Sequence, residues 1–345
     1  MLNSEIKLNH STKHLGRRKN ISNPEPELKA LRDGFGEGLL ILGEENPDVV
    51  VMTGDLKEST RCHWFAEKYP QRFIEVGVAE QNMAAIAAGL GISNKIPFIS
   101  SYATFSPGRN WEQIRTAIAY NDSNVKIAGH HAGISTGPDG ATHQAIEDIA
   151  TMRVIPNMKV IVPCDSYEAK KATIAAAKIW GPVYIRLARN ETPILTNKNT
   201  PFIPQKSYEM FNSSESAKKL KPQVAIIGAG PILHQAILAA QELEKEKIGS
   251  IVLNSHTIKP IDEKKIIELS KRCGAIVTAE EHNILGGLGS AVAEVIVKNY
   301  PVPMELVGMR DEFGESGEPA ELYKKFGLMA ENIKEATKKA IKRKR

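Results

Sequence analysis

The chain has 345 residues, of which 42% are hydrophobic and 25% charged, which suits a globular protein of about two domains and excludes disordered, collagenous and coiled-coil chains. Three scattered cysteines, Cys62, Cys164 and Cys273, exclude a disulfide scaffold and a CxxC metal site, and no apolar run approaches the ~18 residues that would span a bilayer. The net charge of +5 is concentrated at the ends, +3 in residues 1–26 and +6 in 334–345, so the body carries −4 and offers no basic face for nucleic acid.

Residues 1–26 read as a flexible basic tail without an apolar segment, so no secretory leader is expected and a reducing, cytoplasmic setting follows. Within 27–43, Leu28, Leu31, Phe35, Leu39 and Leu42 recur at helical spacing. The run 48–53 reads as a buried strand, 72–76 as a strand, 80–90 as an Ala-rich helix and 96–100 as a strand. The alternation continues with a helix over 111–120, a strand over 125–129, a helix over 144–152, a strand over 159–163, a helix over 166–179 and a strand over 183–186. Residues 193–222, rich in Asn, Ser, Pro and Lys, read as a linker. A second alternating unit follows, with strands at 223–227, 249–254, 275–280 and 304–308 and helices at 230–245, 262–273 and 289–299, closed by a helix near 332–342. The fold class is therefore α/β, two units with mainly parallel sheets flanked by helices. The expected division is 27–192 and 223–333, with a basic tail from 334 to 345.

Two glycine turns, Gly228-Ala229-Gly230 and Gly286-Gly287-Leu288-Gly289, open helices without the complete GxGxxG spacing, so they read as strand-to-helix turns. Two other segments carry chemistry. In Gly77-Val78-Ala79-Glu80-Gln81-Asn82-Met83 a carboxylate stands between a strand and an apolar helix, where the helix N-terminus alone would favour it. Residues 130–144 form a glycine-rich loop with His130, His131, His143 and Asp139. Histidines near neutral pH serve proton transfer, and loops after parallel strands are where open α/β sheets bind ligands. Metal ligation by these histidines is the alternative, although no further ligand stands close in spacing.

GVAEQNMAAIAAGL, SSYATF, GPDGATHQAIEDIA and PNMKVIVPCD resemble the pyrimidine-binding domain of transketolases. TIKPID, TAEEHNILGGLGSAVAEV and MRDEFGESG resemble the C-terminal domain of the same thiamine-diphosphate superfamily. The resemblance covers about residues 28–333, with the motifs in the family's order. The superfamily's diphosphate domain carries Gly-Asp-Gly followed by Asn, a pattern lacking here, and only a short tail precedes residue 28. The resemblance therefore implies the second, C-terminal subunit of a split transketolase. Its N-terminal partner subunit would supply the diphosphate domain and most of the Mg2+ or Ca2+ ligation, and no metal ligand is assigned to this chain. A heterotetramer is expected. The alternatives are a 1-deoxy-D-xylulose-5-phosphate synthase-like enzyme and a 2-oxo acid dehydrogenase beta-subunit-like one.

By that resemblance Glu80 activates the cofactor by hydrogen bonding its aminopyrimidine ring, against which Tyr102 and Phe105 pack, and Asp55 lies near the thiazolium. Asp139 and His143 face the donor's hydroxyls and reacting carbons. Arg32, Ser59, His131 and Arg189 hold the sugar phosphate, a donor set suited to an oxyanion. The implied reaction moves a two-carbon ketol unit from a ketose phosphate to an aldose phosphate, as in the pentose phosphate pathway. Segment 106–108 (Ser-Pro-Gly) departs from the family's helix, and His130 has no assigned role.

Overall fold

A computed structural model describes residues 27–344; the expected basic tail 1–26 lies outside the described residues. The first unit is built on a seven-stranded sheet. Its strands are β2 (Val49–Thr53), β3 (Phe73–Glu75), β4 (Ile96–Tyr102), β5 (Lys126–His130), β6 (Lys159–Ile161) and β7 (Val183–Arg186), joined by β12 (Thr257–Lys259). A two-stranded ribbon pairs β1 (Leu28–Ala30) with β8 (Glu191–Pro193). The order β12-β6-β7-β5-β4-β2-β3 is parallel throughout except for β12. In the second unit β9 (Tyr208–Asn212), β10 (Pro222–Gly228), β11 (Gly249–Asn254), β13 (Ile276–Asn283) and β14 (Met304–Met309) form a sheet of order β14-β13-β10-β11-β9. There only β9 is antiparallel. The α/β reading with mainly parallel sheets describes both units.

Burial explains the strands. All five residues of β2, VVVMT, are buried, as are all of β5 and β7, and β2 accordingly reads as an apolar run rather than as alternation. On one face, helices Leu31–Glu45 and Ser166–Ala177 cross closely over Leu31, Phe35, Leu39, Ala169, Ala172 and Ala176. Their approach depends on Gly34, where an added Cβ would stand 1.9 Å from the Ser166 carbonyl oxygen. On the other face Met83, Ala84 and Ala87 of helix Glu80–Ile92 pack with Ile99, Ile114, Ile118 and Ile127. Each fully buried Phe, Leu or Ile contributes about 1.5–3 kcal/mol.

Several elements differ from expectation. The helix foreseen from residue 27 begins at Leu31, because residues 28–30 pair with β8. The stretch 193–222 contains β9, the antiparallel edge of the second sheet. The helix foreseen over 144–152 is confined to Asp148–Arg153, and the one over 111–120 is a single α-turn followed by π-helical Ile114–Ala119. The closing helix expected near 332–342 is present as Ala330–Lys342 and buries Ile333, Thr337 and Ala340, so the stretch also read as a basic tail from 334 is helical as far as Lys342. Helices Cys62–Lys68 and Pro319–Lys325 were not foreseen.

Candidate active site

Five parallel strands deliver their carboxyl ends to one edge of the first sheet. β2 runs into Gly54 and Asp55, β3 into Gly77 and then Glu80, and β4 into Tyr102 and Phe105. β5 leads to His130, His131 and the loop bearing Asp139 and His143, while β7 leads to Arg189. Ligands bind at this edge of open α/β sheets.

Glu80 opens helix Glu80–Ile92 and is 1% exposed. Its Oε1 accepts a hydrogen bond from Ser101 Oγ at 3.1 Å, and its Oε2 accepts one from Arg109 Nη1 at 2.5 Å. Asn110 Nδ2 donates to its carbonyl oxygen at 3.1 Å. The helix N-terminus favours the carboxylate, but burial without a partner would cost several kcal/mol. The half-exposed Arg109 supplies that partner.

Tyr102 and Phe105 stand as a near-parallel pair, centroids 6.0 Å apart at 17°. The register of β4 on β5 sets Tyr102 opposite His130, which brings the His131 ring to 4.0 Å from Tyr102. His143 lies edge-on to both aromatics, 5.4 Å from Phe105 and 6.2 Å from Tyr102. The Arg109 guanidinium lies over Phe105, 4.8 Å from its centroid. The structure thus gathers Glu80, Tyr102, Phe105, His131 and His143, linked through Arg109.

The remaining candidates lie outside this cluster. Arg32 Nη1 donates to the Ser59 carbonyl at 3.3 Å. Arg189 Nη1 donates to the Thr136 carbonyl at 2.6 Å and stands 3.8 Å from Asp139 Oδ1. Burial, followed by the neighbouring Arg61 charge, lowers the Arg32 pKa. Burial first, then the nearby His130, Arg32 and Arg189, pushes His131 down to about 2; burial and Arg32 push His130 down to about 3. Both rings are therefore neutral at pH 7. Asp55 is set apart: it is exposed, with φ 62°, and hydrogen-bonds only Glu75 among the described residues, its N–H donating to Oε1 at 2.7 Å.

Arg32 Nε and both ring nitrogens of His131 are buried with no hydrogen-bond partner among the described residues. Orphaned polar atoms of this sort are costly in a finished core and fit a cleft whose ligand completes them. The donor set of two guanidiniums, an imidazole and a hydroxyl fits an anionic end group. A buried carboxylate beside stacked aromatics fits a flat heteroaromatic ring with a polar edge. These residues are compatible with the pyrimidine half of thiamine diphosphate.

The second unit fastens the loop. Glu281 Oε1 accepts a hydrogen bond from Ser135 N at 2.6 Å, and Tyr323 OH donates to Oε2 at 2.7 Å. A Cβ on Gly133, whose φ is 88°, would lie 2.3 Å from Glu281 Oε1. The Gln144 amide donates to the carbonyls of Ile134, Gly137 and Glu315. Buried Arg186 joins Asp148, at 2.8 and 3.1 Å, to the Ala145 and Glu281 carbonyls. Neither Arg109 nor this bracing was foreseen. Arg109 directly follows the segment that departs from the family pattern, and the bracing joins residues as far as 171 positions apart, which spacing does not reveal.

Residues 28–194 match the family of transketolase pyrimidine-binding domains, and residues 215–333 match that of transketolase C-terminal domains. The chain belongs to the transketolase family. A protein of Methanocaldococcus jannaschii assigned as a transketolase C-terminal section is 43% identical over 308 residues, 88% of this chain and 94% of that one. A 6-deoxy-6-sulfo-D-fructose transketolase subunit of a Clostridium species is 38% identical, with 91% of this chain and 95% of its own length covered. A solved structure described as a split-gene transketolase, an inactive beta4 tetramer, superposes with a TM-score of 0.84 at 45% identity, covering 92% of this chain and 99% of that one. As in those relatives, the chain corresponds to the second section of a transketolase.

Proposed function

We propose that this chain is the second subunit of a split transketolase and moves a two-carbon ketol unit between sugar phosphates once a partner chain supplies the diphosphate- and metal-binding domain. The observation that carries the reading is the grouping of buried Glu80, the Tyr102–Phe105 pair and the two histidines at the carboxyl edge of the parallel sheet. Thiamine diphosphate, when bound, supplies the carbanion chemistry, and the protein orients it and excludes water. In this assignment Glu80 holds the proton of the aminopyrimidine edge, Tyr102 and Phe105 pack against the ring, and Asp55 stands towards the thiazolium. His143 and Asp139 orient the donor's hydroxyls, with Asp139 kept in place by Arg189 and the turns at Gly137 and Gly140, where φ is 77° and 76°.

Arg32, Ser59, His131 and Arg189 grip the anionic end of the sugar. A relative named for a sulfonated fructose supports a cradle that takes a tetrahedral oxyanion, phosphate or sulfonate. Partner dependence is supported by the relative described as an inactive tetramer of one chain type, and a heterotetramer with Mg2+ held mainly by the partner is the expected assembly. Three buried free thiols suit a reducing, cytoplasmic compartment, and among the described residues no helix is long and apolar enough to cross a membrane.

The test is reconstitution. The chain is mixed with a partner bearing the Gly-Asp-Gly…Asn domain, thiamine diphosphate and magnesium, and ketol transfer is followed with a ketose phosphate donor and an aldose phosphate acceptor. Transfer is expected from the mixture and not from this chain alone. Strong transfer by the chain alone would overturn the split-subunit reading.

A further inference from the structure

We infer that Arg109 is a positioning residue that occupies the place of the cofactor's aminopyrimidine ring, pairing with Glu80 and covering Phe105 until the ring displaces it. The inference rests on the functional reading above. Two contacts define a seat for a flat ring with a polar edge: a carboxylate oxygen to meet the edge and an aromatic face to meet the plane. Arg109 makes both. Its Nη1 lies 2.5 Å from Glu80 Oε2, and its guanidinium carbon stands over Phe105, 4.8 Å from the ring centroid. A guanidinium is itself planar and delocalised and stacks on aromatic faces, so it imitates the ring it precedes.

Burial explains why such a residue is needed. Glu80 is 1% exposed, and Ser101 Oγ satisfies only its other oxygen. A carboxylate so buried and left without a cation would destabilise the cofactor-free chain. Arg109 can leave because 43% of its side chain is exposed. Its backbone is fixed independently, since Arg109 N donates to the Phe105 carbonyl at 2.9 Å and the next residue, Asn110, is anchored to Ser106 Oγ and the Glu80 carbonyl. The side chain can therefore swing without unmaking the turn. Once the ring hydrogen-bonds Glu80 and covers Phe105, the counter-ion is dispensable.

This predicts an effect opposite in sign to that of a ligand contact. Thiamine diphosphate binding to the reconstituted two-subunit complex is measured by calorimetry in magnesium buffer, for wild type, R109A, R109K and E80Q with and without R109A. R109A is expected to bind at least five-fold more tightly than wild type, because the cofactor-free state alone loses its counter-ion. R109K, which keeps the charge and lacks the flat face, is expected to fall between them. In the E80Q background, where no carboxylate needs neutralising, R109A is expected to change affinity less than two-fold. Circular dichroism confirms folding, and R109K carries the test if R109A does not fold. R109A or R109K binding more weakly than wild type would overturn the inference and make Arg109 a direct cofactor contact. A wild-type complex that binds no thiamine diphosphate would instead overturn the functional reading, and this inference with it.

Discussion

Two kinds of residue meet at the first unit's sheet edge, those that need a charge and those that must avoid one. Glu80 is of the first kind: it is buried, cation-paired and hydrogen-bonded through both oxygens. Glu80→Gln retains shape and burial while removing the acid. Its turnover in the reconstituted enzyme is expected to fall at least ~10²-fold, within the range for losing a proton-transfer group, with the thermal midpoint unchanged or raised. Full turnover in this variant would remove Glu80 from the chemistry.

His130 and His131 are of the second kind. Their folded pKa values, about 3 and about 2, lie below the ordinary 6.5, so the unfolded chain takes up protons that the folded chain refuses. Their stabilising effect is complete above pH 6.5 and is lost as pH falls below it, by up to ~1.4 kcal/mol per pH unit for each histidine. Glu280 acts oppositely. Burial pushes it up to about 7, partly offset by hydrogen bonds from Gly289 and Leu288 N–H, so stability falls as pH rises from about 4.5 to 7. His282, pushed down to about 4 mainly by burial, joins the other two histidines. The urea midpoint is therefore expected to drop between pH 6.5 and 4.5, and to drop less in His130→Asn. An equal drop in that variant would deny His130 its part. The candidate residues named from sequence had motif neighbours to identify them. Arg109 had none, because its role comes from a fold-back of the chain over Phe105, which no spacing encodes.

At the scale of elements, close helix crossing and buried ionic bracing carry the architecture. Gly34 lies inside helix Leu31–Glu45, where alanine would ordinarily gain about 1 kcal/mol. Here the new methyl would meet the Ser166 carbonyl oxygen at 1.9 Å. Backbone cannot step aside as a flexible side chain would, so overpacking of about 1–3 kcal/mol wins. Gly34→Ala is expected to lower the thermal midpoint; a rise would mean that the two helices can separate freely. The Asp148–Arg186 pair, 2.8 Å apart with both side chains at most 3% exposed, predicts a larger loss. Arg186→Met strands a buried carboxylate that also accepts from Tyr184 OH at 2.6 Å, and a destabilisation of about 3–5 kcal/mol is expected in urea titration. Adding Asp148→Leu to it is expected to restore part of the loss. The apolar run of β2 and the apolar start of β4 were legible because burial on both faces leaves a continuous signature. The ribbon β1–β8 and strands β9 and β12 were not, because short polar edge strands take their identity from the partner they pair with. The helix expected from residue 144 starts later because Ala145 is bridged to Ala132 and its carbonyl accepts from Gly133 N–H and Arg186 Nη2.

At the scale of the whole molecule, the second unit is a brace for the first. Glu281, Tyr323 and the Glu315 carbonyl hold the loop of Asp139 and His143 from outside. Glu281→Ala is therefore expected to raise the donor KM several-fold in the reconstituted enzyme while thiamine diphosphate affinity stays within two-fold. A loss confined to cofactor affinity would contradict that division of labour. The reach of the second unit extends to the opposite margin of the sheet. β12 follows β11 of the second unit yet caps β6 of the first, with Val162 N donating to the His256 carbonyl at 2.7 Å beside the ladder. The polypeptide thus crosses the boundary, returns, and crosses again. Cutting between residues 193 and 222 would not release two autonomous pieces, because the leading fragment would bare the β6 margin as an adhesive template. The two units are therefore one covalent and folding whole: the chain resists division through its middle.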